Sequence, residues 1–419
     1  MHGILSTEFN CSMADKMKLA RLIKTLLPAS LACVAIWLVL PTDLELARKI
    51  PAFFATVSML AMAGAMLLSC RPKWIEPLVD GMDRAYIWHK WLGIFGLVGA
   101  CFHWLLVPGP AGNGIDPSFA EVGEELGQWA MYGLLLLGSV SMVKKIPYRL
   151  WFYTHKLMGP IFLVSIYHTF FSDAPFLVNS TTGAALIIVS LIGAVSWLYK
   201  MFIKPNKYQD YTVAQITKLE DALVITLKPT GKGIHYHAGQ FAYLDFGYDK
   251  VEHFHPFTIA SAPHEEELKF IIRCLGRHTN ELYSKVRVGD SVTVDGAYGR
   301  LHAYKDPTKP QVWIAGGVGI TPFLSWVKSA KPSHQPVHLF YVGKGKMYFN
   351  IVEQLARLVS KKNITLLTHD DFEGRLDAKT IASFIQSPIA STQFFACGPE
   401  SMMKEIKEQL STRGMKPTQ

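Results

Sequence analysis

The apolar residues of this chain are gathered in its first half, in six runs at roughly 25–40, 51–70, 85–107, 126–143, 150–171 and 182–203. Lipid offers backbone N–H and C=O groups no partner, so apolar runs near the ~20 residues that cross a bilayer are restricted to helices. A six-helix transmembrane bundle is therefore expected over 25–205, after a cytoplasmic N-terminal segment at 1–24. The first run has the basic flank of a signal peptide, but no A-x-A cleavage site follows it, and it reads as a helix. Half the residues are hydrophobic and mean hydropathy is +0.19, although everything from about 206 onward reads as ordinary soluble α/β protein.

Two of the six runs carry paired histidines. His89 and His103 are 14 residues apart, and His155 and His168 are 13 apart. At about 1.5 Å rise per residue each pair spans roughly 20 Å, two-thirds of a bilayer core of about 30 Å. Two such helices side by side offer two stacked bis-imidazole sites, one per leaflet. That ligation suits an iron porphyrin that shuttles electrons. A lone intramembrane histidine is often a hydrogen-bonded packing residue; four at matching levels point to ligands. In a heptad-like bundle His89 and His103 share a face, whereas a 13-residue spacing does not repeat. Gly159 and Pro160 lie between His155 and His168, where a kink would re-aim one ring.

Charge orients the bundle. Lys16, Lys18, Arg21 and Lys24 precede the first run; Arg71, Lys73 and Arg84 separate the second from the third; Lys144, Lys145 and Arg149 separate the fourth from the fifth. The stretch 108–125 reads as a loop with no Lys or Arg, carrying Asp116, Glu121, Glu124 and Glu125, and 172–181 has only Asp173. By the positive-inside rule both termini are cytoplasmic, with His89 and His155 at the inner level and His103 and His168 at the outer. These inner loops account for the net charge of +9, and no nucleic-acid signature is present. The six cysteines lack C-x-x-C spacing, so neither zinc nor a disulfide framework is indicated.

The second half splits in two. Over 206–306, short β-rich runs (YTVAQITK, ALVITLKP, QFAYLDFG, LKFIIRCL, SVTVDG) and one helical stretch predict a small antiparallel barrel. Over 307–419 strand and helix alternate, which predicts a doubly wound parallel sheet with its ligand site at the carboxyl ends of the strands. The first strand–helix turn there contains Gly316, Gly317, Gly319, Thr321 and Pro322 (GGVGITP), glycines that admit a pyrophosphate and a proline suited to a first helical turn. Cys397, Gly398 and Pro399 end a later strand facing the same cleft. In the barrel, His255, Pro256, Phe257, Thr258 and Ser261 (HPFTIAS) place a hydroxyl and an aromatic plane on an extended strand, as a flavin ring requires. Arg273, Gly276 and Thr279 put a cation and a glycine turn at a helix N-terminus, suited to a diphosphate.

With these motifs in this order, the chain resembles the ferric reductase and NADPH oxidase superfamily across essentially its whole length. The resemblance implies a membrane flavocytochrome b: a six-helix transmembrane haem bundle joined to a ferredoxin-reductase-type dehydrogenase. By it, His89 with His155 would hold an inner haem b and His103 with His168 an outer one. HPFTIAS and R-x-x-G-x-x-T would hold FAD, and GGVGITP and CGP would hold NADPH or NADH, with Thr258 and Cys397 beside the reacting rings. Electrons would pass from cytosolic NAD(P)H through FAD and both haems to an acceptor outside the plasma membrane. Dioxygen, giving superoxide, suits the short external face; a ferric chelate would suit an acidic outer loop. A haem-bearing carrier or sensor subunit would not need flavin and nucleotide motifs. Phe95 and Phe162 lie between the histidine levels, where packing or lipid contact is the commoner role. Lys344 and Lys346 stand where the family often has an arginine for the ribose 2′-phosphate, so NADPH is slightly favoured. No aromatic follows Phe395, where the family commonly adds a last strand and a terminal aromatic that stacks on the flavin. Either the sequence lacks its end or the nicotinamide gate is built otherwise.

Overall fold

The computed structural model describes residues 30–79, 81–109, 117–143, 145–172, 180–202, 208–248, 254–301, 306–330, 335–360, 362–370 and 376–415. The basic cluster Lys16–Lys24, the segment 1–24, and Asp116, Lys144 and Asp173 lie outside them. The chain forms two compact units, Met1–Lys204 and Pro205–Gln419.

The first unit is helical. Its elements are α1 (Ser30–Val39), α2 (Leu46–Ser69), the one-turn α3 (Glu76–Val79), α4 (Met82–Leu106), α5 (Pro117–Met142), α6 (Tyr148–Lys156), α7 (Met158–Phe171) and α8 (Thr181–Phe202). By length and hydropathy, α2 and α8 are long and apolar enough to cross a membrane. At 25 residues α4 is long enough too, but His89, Lys90 and His103 lower its hydropathy. The fifth apolar run is divided at Leu157 into α6 and α7. The break has a cause: Pro160 has no N–H to give the Lys156 carbonyl four residues earlier. The expected 108–125 loop is shorter than its sequence suggests, because Glu121, Glu124 and Glu125 ride on the first turns of α5.

Small residues set the helix spacing. A Cβ on Gly96 would lie 2.9 Å from Met62 Cγ and one on Gly99 2.9 Å from the Phe54 carbonyl, so α4 lies close against α2. Ser58 Oγ donates to the Gly96 carbonyl at 2.7 Å across that seam. Gly123 does the same for α5 and α7, its Cβ position 2.6 Å from the Phe171 carbonyl. Close backbone approach through glycine and serine is how helices associate where the surroundings are already apolar.

The second unit holds two sheets. β1 (Tyr208–Lys218), β2 (Ala222–Pro229), β3 (Phe241–Asp245), β4 (His255–Thr258), β5 (Leu268–Arg273) and β6 (Ser291–Tyr298) pair antiparallel in the order β4-β3-β6-β1-β2-β5, with α9 (Arg277–Lys285) before β6. Alternate residues such as Leu223, Ile225, Leu227, Leu244 and Val294 fill the inside. An Ile259–Phe270 bridge and the Ala260 N–H donating to the Lys269 carbonyl at 2.7 Å bring the two end strands together, making the sheet barrel-like.

The other sheet is parallel. β7 (Gln311–Gly316), α10 (Thr321–Ser329), β8 (Val337–Gly343), α11 (Gly345–Val359), β9 (Ile364–Asp370), α12 (Ala378–Phe384), β10 (Gln393–Cys397) and α13 (Glu400–Thr412) give the order β10-β7-β8-β9. Trp313 and Ala315 of β7 face α10 and α11, whereas Val312 and Ile314 face α12 and α13. Helices thus cover both faces, and strand order reverses between β7 and β10, where such sheets open a ligand crevice. Trp326 of α10 is 3% exposed and its indole N–H donates to the Ala238 carbonyl at 2.8 Å, tying the barrel to this sheet. Truncating so large a buried ring costs about 3–5 kcal/mol.

Candidate functional sites

In the helical unit the four histidines meet as two pairs. The His89 and His155 ring centroids are 6.0 Å apart at an interplanar angle of 69°, and those of His103 and His168 are 6.0 Å apart at 63°. The break at Leu157 lets a 13-residue spacing on one side match a 14-residue spacing on the other.

Each ring is held by its Nδ1. His89 Nδ1 lies 2.9 Å from the Ala65 carbonyl, His103 Nδ1 3.1 Å from that of Pro51, and His168 Nδ1 2.9 Å from that of Gly123. His155 Nδ1 is 3.2 Å from Ser141 Oγ. Carbonyls only accept, so Nδ1 carries the proton in the first three rings and Nε2 keeps its lone pair, the arrangement of an oriented metal-binding histidine. A metal bound at about 2 Å by one nitrogen of each ring, plus about 1 Å to each ring centre, separates the centres by roughly 6 Å. The observed separation fits, so these residues suit two bis-imidazole haem irons.

The acceptors for His89 and His103, Ala65 and Pro51, are themselves 14 residues apart on α2. Sequence reading missed α2 and α5 as orienting helices because a backbone carbonyl belongs to every residue type. It also missed Gly127: a Cβ there would overlap the His168 ring, 2.6 Å from Cε1. Phe162 is fully buried with Met59, Ala63 and Leu186, and Phe95 is exposed beside Trp91, so neither lies between the ring pairs as more than packing or surface.

In the second unit the flavin motifs come together: the His255 ring stacks on His278 of α9 at 3.3 Å between centroids. Strand alternation puts His255 and Phe257 on one face of β4 and Pro256 and Thr258 on the other. Phe257 packs one side against the barrel core. A flat ring can meet both Phe257 and Thr258 only across the free edge of β4. That edge position also explains Pro256, which has no N–H for a ladder.

Arg273 Nε lies 3.4 Å from Asp221 Oδ2, and the side chain remains 37% exposed. Thr279 Oγ1 accepts from the Leu275 and Gly276 amides at 3.0 and 3.1 Å, shaping the turn that starts α9. Ser261 is placed otherwise than expected. It is fully buried, its hydroxyl accepts from the Lys269 N–H at 3.0 Å and lies 3.0 Å from Tyr236 Oη, and its carbonyl accepts from Ser325 Oγ at 2.6 Å. Ser261 joins the barrel to α10 and has no exposed group to offer a flavin. Burial pushes the Tyr236 phenol up to about 12, so it stays protonated and donates to the Ala262 carbonyl at 2.7 Å.

The glycines of GGVGITP divide their work. A Cβ on Gly319 would overlap the Cys397 carbonyl, 2.5 Å from its carbon, and one on Gly398 would lie 3.0 Å from Gly316 Cα. Gly316 and Gly319 of this turn, with Gly398 of the other, therefore serve the contact between the two turns. Gly317, at φ +55° with nothing within 4 Å of its Cβ position, is the one facing open space. Thr321 is buried and donates to the Val318 carbonyl at 2.9 Å, and Pro322 is buried within the first turn of α10; both shape the loop. Burial pushes the Cys397 thiol up, so it is a neutral thiol beside the cleft. Lys344 and Lys346 are exposed just past the carboxyl end of β8.

Three family models match in chain order: the ferric reductase like transmembrane component over 54–166, an FAD-binding domain over 207–321 and an oxidoreductase NAD-binding domain over 313–408. Among curated relatives, flavohemoprotein A of Dictyostelium discoideum is 32% identical over 32% of this chain and 35% of its own length. Dual oxidase 2 of Rattus norvegicus is 31% identical over 31% of this chain and 9% of its own. A naphthalene dioxygenase-system ferredoxin–NAD(P)+ reductase of Ralstonia sp. is 26% identical over 44% of this chain and 59% of its own. The chain thus spans a third to three-fifths of the first relatives it matches, and far less of the dual oxidase. Among solved structures, the flavohemoglobin of Malassezia yamatoensis aligns with a TM-score of 0.46 at 17% identity, covering 88% of this chain and 94% of that one. A helical half that matches the ferric reductase like transmembrane component and carries two facing histidine pairs, followed by flavin and nicotinamide domains in that order, places the chain in the ferric reductase and NADPH oxidase superfamily of transmembrane oxidoreductases.

Proposed function

We propose that this chain carries electrons from cytosolic NAD(P)H across the plasma membrane to dioxygen outside, releasing superoxide. The observation that carries the reading is the pair of facing imidazoles at each of two levels, every Nδ1 engaged and every Nε2 without a hydrogen-bond partner among the described residues. When bound, nicotinamide supplies a hydride, FAD divides it into single electrons and haem iron carries them one at a time. His89 and His155 hold the inner haem b, His103 and His168 the outer one. Six helical spans with both termini cytoplasmic follow from the basic inner loops, and electron movement toward a positive outside gains about 2.3 kcal/mol per 100 mV.

In the dehydrogenase, Thr258 offers its hydroxyl to the flavin at the edge of β4, and the exposed Arg273 guanidinium and the Gly276 turn take the diphosphate. The Gly317 backbone takes the nicotinamide nucleotide's pyrophosphate, and Cys397 to Pro399 border the nicotinamide. Lys344 and Lys346 take the 2′-phosphate. Replacing both lysines with alanine should raise KM for NADPH roughly tenfold, the size of one charge-assisted hydrogen bond, and leave KM for NADH unchanged in steady-state assays.

A second reading, ferric-chelate reduction, is favoured by Glu121 and Glu125, exposed on the first turns of α5 where they would attract cationic complexes. Purified, FAD-supplemented protein decides between them. NADPH oxidation with dismutase-sensitive cytochrome c reduction is expected in air. Turnover only with anaerobic ferric chelate would replace dioxygen as the acceptor. Pyridine hemochrome should give two haems per chain, and none would remove the relay altogether.

A further inference from the structure

Three of the four candidate iron ligands are oriented by backbone carbonyls; His155 alone relies on a side chain. Ser141 Oγ donates its proton to the Leu137 carbonyl at 2.8 Å, one turn back on α5. With that proton committed, the hydroxyl presents only lone pairs to His155 Nδ1 at 3.2 Å, so Nδ1–H must donate to it. The opposite tautomer would put the ring proton on Nε2 and prevent it from binding iron. Trp151 stacks on the same imidazole at 5.1 Å and 23°, which fixes the ring plane but offers Nδ1 no acceptor. Plane and protonation are thus set by different residues.

We propose that Ser141 is the positioning residue of the inner histidine pair, fixing the His155 tautomer and setting how strongly that ring donates to iron. The proposal rests on the di-haem reading above. A hydrogen bond from Nδ1–H raises the basicity of a ligating imidazole and favours the oxidised metal. The Ser141 hydroxyl, at longer range than the 2.9 Å carbonyls of Ala65 and Gly123, polarises its ring least. Removing it leaves His155 Nδ1 with no acceptor among the described residues.

The test is a potentiometric titration of the full chain in detergent, following the haem bands, for wild type, Ser141→Ala and Ser141→Thr. In Ser141→Ala one of the two haem components should become easier to reduce and the other stay fixed. The reduced-to-oxidised ratio of the shifted component at a set potential should rise roughly tenfold, at the low end of outer-shell effects on metal sites, or about 59 mV for one electron. Ser141→Thr keeps the hydroxyl and should titrate as wild type. Loss of one haem of the two in Ser141→Ala but not in Ser141→Thr carries the same conclusion. Unchanged potentials in Ser141→Ala at full haem content, or equal shifts in both components, would overturn the role of Ser141. A wild-type chain without haem would instead sink the di-haem reading itself.

Discussion

On the proposed two-haem reading, His168→Ala should lower the haem content from two per chain to one, abolish acceptor reduction, and leave flavin reduction by NADPH at its wild-type rate. His103→Ala should do the same, because the two rings face one another at 6.0 Å and a haem held between them would lose one of its two protein ligands. Gly127→Leu should reproduce the effect without touching a ligand. Its side chain must occupy the space of the His168 ring, which cannot retreat while Nδ1 stays bonded to the Gly123 carbonyl. Gly93→Leu on α4 is the matched control, since nothing lies within 4 Å of the Cβ position there. Haem stoichiometry by pyridine hemochrome reads all four variants. Two haems retained in both histidine variants would rule out His103–His168 as a haem site.

Gly319→Ala should produce the complementary defect. The added methyl meets backbone atoms of Cys397 rather than a flexible side chain, so the two turns at the switch point must separate. Overpacking against a well-packed site costs about 1–3 kcal/mol and more where backbone must shift. A displacement near 1 Å can slow a reaction by about a hundredfold. Anaerobic stopped-flow should accordingly show flavin reduction by NADPH slowed by about that factor, with two haems still bound and dithionite still reducing them. Wild-type flavin reduction in this variant would show that the contact between the two turns does not position the nicotinamide.

Much of this arrangement was legible in residue order. The alternation Gln311 to Gly316, then Thr321 to Ser329, announced a buried parallel strand followed by a helix, and that is what forms. The histidine spacings announced two levels. Other features were misjudged for physical reasons. Glu121, Glu124 and Glu125 suggest a loop by their charge, yet α5 begins at Pro117 and carries them on its second and third turns. Ser261 followed Thr258 in a motif and was grouped with it, yet the chain has turned inward by then and the hydroxyl is spent on Lys269 and Tyr236. Within GGVGITP, Gly316 and Gly319 meet the Cys397–Pro399 turn, Thr321 bonds the Val318 carbonyl, Pro322 is buried in the first turn of α10 and Gly317 faces open space, a division that residue type alone does not show.

The sequence by itself determined which segments are apolar, where the helical and strand periods change, and which side chains could bind iron, flavin or nucleotide. Those properties are local, written in residue type and spacing. Only the tertiary structure decided how the imidazoles are aimed: by the carbonyls of Pro51, Ala65 and Gly123, and by the hydroxyl of Ser141. Such partners are brought close by helix packing alone. A carbonyl acceptor is common to every residue, so nothing in the residue order distinguishes the ones that hold a ligand from the ones that only hold a helix.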